Sequence, residues 1–130
     1  MAIAACQAGS PLSSSDARPV VQVLEISGVM RDLSASQVGA PEICEDWSLT
    51  KIQVEEFFAL SKDIDARTFH HDYDTAPCKI VGTAMIDGGV REFEINGAAK
   101  ATWSDGETRH YLGCDASTCE PLVLWMPVGS

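Results

Sequence analysis

Basic side chains are scarce in this sequence. Nine Lys and Arg stand against 19 Asp and Glu in 130 residues, a formal net charge of −10. Neutralising a phosphate backbone takes a basic footprint, so nucleic-acid binding is excluded. Adhesion to anionic lipid headgroups is disfavoured for the same reason. Long hydrophobic runs are missing too: nothing approaches the ~20 apolar residues of a membrane-spanning helix. No G-x-S-x-G, H-E-x-x-H or phosphate loop occurs, so no catalytic residue, metal or cofactor is assigned. The acid excess reads either as a solvated surface or as a face for a basic protein partner.

What is present suits a folded domain. Apolar residues make up 45% of the chain and charged residues 22%, ordinary proportions for one globular unit with a real core. Residues 1–18 are small, polar, Ser-rich and punctuated by proline, without an apolar period, and read as a leader remnant followed by a flexible tether. A single globular domain is expected over 19–128.

Within it, "VVQVLEI" (20–26) reads as a strand. Residues 31–38 read as a short helix and "GAPEICED" as a loop. Thr50 as N-cap with Gln53 three residues later forms a capping box, and Leu49 with Val54 the matching staple. From there Val54, Phe57, Phe58, Ser61 and Ile64 follow helical spacing, so 50–64 is expected to be an amphipathic helix burying its phenylalanines. "CKIVGTAMI" (78–86) is a strand closed by the turn signal Asp87-Gly88-Gly89. In "EFEINGAAKATW", Phe93, Ile95, Gly97, Ala99, Ala101 and Trp103 share one face and the polar residues the other. Asn96-Gly97 is either a tight turn splitting that segment or a bulge in one long strand. The unbroken alternation favours the long strand. Strands over 108–114 and 121–126 follow. The sum is an α+β domain: an antiparallel meander of four to five strands with one amphipathic helix on one face.

Ile3-Ala4-Ala5-Cys6 resembles the lipobox of bacterial lipoproteins: a branched apolar residue, two small residues and a cysteine. The resemblance covers four residues and is strengthened by the tether behind it. It implies that Cys6 is acylated and becomes the mature N-terminus, on a periplasmic or outer-membrane lipoprotein held to the membrane only by its lipid. Gln7 after the cysteine implies the outer membrane. Only Met1 and Ala2 precede Ile3, so the basic and apolar parts of the export signal are expected upstream of a truncated start.

Setting Cys6 aside leaves Cys44, Cys78, Cys114 and Cys119, enough for two disulfides in three pairings. Cys114 and Cys119 suit a local bridge, or two zinc ligands with His70 and His71 as the nearest further candidates. An oxidising compartment favours the bridge. Cys44 and Cys78 then remain, closing a loop of roughly 35 residues worth about 3–4 kcal/mol. Cys78 to Cys114 would span two strand spacings, about 10 Å, too far for a disulfide.

His70-His71-Asp72-Tyr73-Asp74 is the densest polar cluster and the candidate functional loop. On an extended segment its two histidines point to opposite faces. Trp47, Trp103 and Trp125 are read as core. The expectation is a small exported binding protein, of the inhibitor or immunity type, acting on an envelope-associated protein partner. A small metal-binding or hydrolytic enzyme built on His70, His71 and Asp72, and a structural envelope component, are the alternatives.

Overall fold

The computed structural model describes residues 20–32 and 41–127. Cys6, the tether and most of the helix expected over 31–38 lie outside them. Among the described residues the domain is α+β, built on one antiparallel sheet of seven strands. These are β1 (Val21–Ile26), β2 (Met30–Arg31), β3 (Lys62–Ile64), β4 (Cys78–Ile86), β5 (Gly89–Asn96), β6 (Lys100–Ser104) and β7 (Arg109–Gly113). Their order is β1-β4-β5-β6-β7-β3, with β2 continuing the β1 edge by pairing with β4. Two α-helices, α1 (Lys51–Leu60) and α2 (Ala66–His71), and two 3₁₀ turns (Pro41–Cys44 and Ser117–Leu122) complete it. Strands and helices thus exceed the four to five and the one expected, and 41–44 is helical rather than plain loop. Arg31, the first residue of the helix expected over 31–38, pairs as part of β2 instead.

The helix signal at Thr50 is realised in full. The Gln53 N–H donates to Thr50 Oγ1 at 3.1 Å, and the Thr50 N–H donates to Gln53 Oε1 at 2.9 Å. Such a box satisfies donors that a helix start leaves open. Val54, Phe57 and Phe58 are buried, and the Phe58 ring meets Phe93 edge-on with centroids 5.4 Å apart. The helix stops earlier than its apolar spacing suggests. Ser61 caps it, with both its N–H and its hydroxyl donating to Phe57 O, and 62–64 leaves as an edge strand against β7. Ile64 kept its spacing but not its helix.

The meander is held by turn chemistry. Ile86 pairs with Gly89, and Asp87 and Gly88 between them both take positive φ, 59° and 86°, as the tight hairpin turn requires. On the core face Ile80 opposes Ile95 and Gly82 opposes Phe93. A side chain at Gly82 would strike Glu25 O and the Phe93 ring, so glycine there lets edge and centre close up. Cys44 bridges to Cys78 and Cys114 to Cys119, over sequence separations of 34 and 5. Among the described residues no helix is long and apolar enough to cross a membrane.

Two expected features change. Residues 121–126 do not form a strand: the chain runs through the second 3₁₀ turn and then irregularly. Leu122 is buried and its carbonyl accepts from Trp47 Nε1 at 3.0 Å, which fixes Trp47 in the core. Trp103 is buried as expected, but Trp125 is 37% exposed.

Between β6 and β7 the Asp105 carboxylate accepts from the N–H groups of Thr108 at 2.8 Å and Glu107 at 2.9 Å. These bonds hold its pKa down to about 2 from the ordinary 3.8. A depressed carboxylate stabilises the fold above its unfolded pKa, and that stability is lost as pH falls through its folded pKa. Asp105→Asn should therefore melt below the parent at about pH 5, with the gap closing as pH nears about 2. Paired thermal melts across that range check it, and a gap that persists unchanged at the acid end would sink the assignment.

Candidate functional site

The sheet has a second face. Alternation puts Lys79, Val81, Glu94, Asn96, Lys100, Thr102, Arg109 and Tyr111 there, away from α1. An antiparallel sheet commonly leaves such a face to water. Here it forms the floor of a cavity of about 700 Å³. After β3, the chain folds α2 over that face, and Phe69 and Thr75 form one wall. The opposite rim is Met30-Arg31-Asp32, at the end of the β1/β2 edge.

Asn96 ties these walls together. Its Oδ1 accepts from the N–H of Ala76 at 2.7 Å and of Ala98 at 2.9 Å. Its Nδ2 donates to Ala76 O and to Asp32 Oδ2, both at 2.9 Å. The amide's two donors and two acceptor sites are all used. One buried side chain thus joins its own turn, the segment after α2 and the rim.

Lys100 lies on the floor and is 2% exposed. Its ammonium donates to Thr75 Oγ1 at 2.9 Å and Phe69 O at 3.2 Å, and sits 4.2 Å from the Phe69 ring centroid. Burial pushes its pKa down, while Asp32 and Asp74 nearby pull it back up. The lysine–carboxylate pairs among the described residues are Lys62–Asp115 and Lys79–Glu94, so no carboxylate among them touches this ammonium. Arg109 reaches back along its strand, Nη1 donating to Thr102 Oγ1 at 3.4 Å. Phe69, His70 and Tyr111 form an edge-to-face aromatic group, with Phe69 and Tyr111 centroids 5.0 Å apart.

The candidate loop 70–74 contributes less than its composition suggests. His70 and His71 end a helix rather than lying on an extended segment, with Asp72 as its C-cap. Neighbouring helical residues diverge by about 100°, so they still do not converge. His70 lines the pocket; His71, Asp72 and Asp74 are exposed. Tyr73 is buried against Gly113, where an added Cβ would meet its ring, and burial raises its hydroxyl pKa. Among the described residues no group of three His, Cys, Asp or Glu is placed to hold a metal ion. The zinc alternative also loses its thiolates, because Cys114 and Cys119 are joined.

Lys100, Thr102, Arg109 and Phe69 were not among the residues the sequence singled out, and Asn96 entered it only as half of a turn signal. One signal for them stood in "GAAKAT": a lysine on the polar face of a strand, framed by small residues that leave it no solvent-facing company. No family model, no curated protein and no solved structure matches this chain.

Proposed function

We propose that the protein is an exported binding protein, tethered by lipid on Cys6, that holds its ligand in the pocket on the polar sheet face. The pocket itself carries this reading. Its volume of about 700 Å³ falls in the range of small-molecule sites, which combine apolar walls with a few placed polar groups. Two disulfides fit an oxidising, extracytoplasmic compartment. An inhibitor that engages a basic protein partner is the second reading. It is favoured by the net charge of −10, carried mostly away from the pocket, whose lining includes only Asp32 and Glu94 among the acidic residues.

The test uses the lipidated protein extracted from its own envelope and examined by native mass spectrometry. A small-molecule mass is expected on the parent. It should be lost in Thr102→Trp, which fills the cavity from its floor, and retained in Glu56→Gln on the exposed side of α1. Retention by Thr102→Trp would move the site off the pocket. A stably bound protein with no small molecule would favour the inhibitor.

A further inference from the structure

Four of the nine basic side chains of this acidic protein line one cavity: Arg31, Lys79, Lys100 and Arg109. Only two carboxylates, Asp32 and Glu94, line it with them. Both are already engaged, Asp32 with the Asn96 amide and Glu94 with Lys79. Asp74 acts on Lys100 from outside the lining. A purely structural role explains part of this: Lys100 pins Phe69 O and Thr75. It does not explain why the pin is charged. A buried ammonium is costly unless something offsets its lost hydration, and here two of its three N–H bonds go to neutral acceptors. Arg109, exposed at the edge of the cavity, brings a second cation to the same floor, its Nη1 donating to Thr102 Oγ1.

The geometry points to an organic anion as the ligand: a carboxylate met by Lys100 and Arg109, carried on an apolar or aromatic body that packs on Phe69 and Tyr111. The positive floor recognises the charge, since low local dielectric strengthens such contacts. The aromatic wall and a volume far beyond that of a bare inorganic anion call for the body. This rests on the pocket being the binding site.

Three probes of one shape separate the two ideas: 1-naphthoate, 1-naphthalenemethanol and 1-naphthylmethylammonium, each titrated into the ¹⁵N-labelled full chain and followed by amide shifts and calorimetry. Naphthoate is expected to shift β5–β7 resonances and to bind at least about tenfold more tightly than the alcohol, with the amine weakest. Raising salt should weaken naphthoate more than the alcohol. Lys100→Met and the exposed Arg109→Gln should each weaken naphthoate about tenfold and leave the alcohol unchanged. Glu94→Gln should tighten naphthoate. If the alcohol or the amine binds as well as naphthoate on these strands, the anion is wrong and the pocket reading stands. If none of the three shifts these resonances, both fail.

Discussion

Asn96→Ala is expected to remove about 3–5 kcal/mol of stability, a large share of the 5–15 kcal/mol typical of a whole domain. The loss is not that of four ordinary hydrogen bonds. Truncation leaves the Ala76 N–H, the Ala76 carbonyl and the Ala98 N–H without the partner they have in the fold. An orphaned buried group costs about 1–3 kcal/mol, more than the net worth of the bond it lost. Relaxation and entering water bring the sum below the simple total. Asn96→Asp sharpens the test. The acceptor for Ala76 and Ala98 is kept, but the donor to Asp32 Oδ2 becomes a second carboxylate facing the first. Like charges at that range keep one carboxyl protonated. The Asp variant should therefore lie well below the parent at neutral pH and recover as pH falls, whereas the Ala variant should show no recovery. Urea titrations at two pH values measure both. A loss under about 1 kcal/mol for Asn96→Ala would show that water replaces the amide.

The same residue explains why the sequence is legible in one respect and misleading in another. Asn96-Gly97 is a strong turn signal, yet the alternation running through it favours one long strand. The structure splits the segment: Asn96 pairs with Lys100 across a loop of Gly97, Ala98 and Ala99. The loop is buried, which hides it. Ala99 sits at φ 67°, Gly97 lies under Leu124, and its carbonyl accepts from the N–H groups of Leu124 and Trp125. Buried turn residues must be small and apolar, so they imitate the inward half of a strand. The facing assignment survives because a three-residue loop preserves parity. Phe93 pairs with Trp103 and Ile95 with Ala101, so these four of the six residues read as sharing a face do share one, on two strands instead of one, while Gly97 and Ala99 lie in the loop between them. Leu124 from the C-terminal segment covers the small Gly97 of this loop.

The site was less legible for a related reason. Local patterns identify caps, hairpins and strand faces because their partners are a few residues away. The pocket is made by long-range closure: Thr75 meets Lys100, and Asp32 meets Asn96, across separations of 25 and 64 residues. Composition drew attention to His70 through Asp74 as the polar cluster, but residues that sit together in sequence at a helix end diverge in space. Those that converge are spaced by two along neighbouring strands, where a face reading lists them without saying that the face is enclosed.

Removing the Cys44–Cys78 bridge is expected to be nearly as damaging, and much more so than removing the other. In the chain-entropy picture, the cross-link restricts the unfolded chain in proportion to the logarithm of the loop it closes. The separation of 34 for Cys44–Cys78 corresponds to about 4 kcal/mol, and the separation of 5 for Cys114–Cys119 to about 2 kcal/mol. Position adds to the contrast. Cys78 opens β4, is buried, and pairs with Arg31 on the pocket rim, and its carbonyl accepts from Gly97 N–H in the turn beside Asn96. Cys44 ties that point to the 3₁₀ turn that leads into α1. Cys44→Ala with Cys78→Ala should therefore lower the denaturation midpoint and broaden amide resonances at the pocket rim. Cys114→Ala with Cys119→Ala should lower the midpoint by about half as much, with its disturbance centred on the end of β7 and on Ala99, whose carbonyl accepts from the Cys114 N–H. Equal losses from the two double variants would mean that native packing, rather than loop closure, sets what each bridge contributes. Reductant gives a second arm. Cys78, Cys114 and Cys119 are all buried, so thiol attack on the native protein must wait for local opening. Reduction should stay slow until denaturant approaches the unfolding transition, and the Cys44–Cys78 bridge should open first if the rim is the weaker end of the sheet.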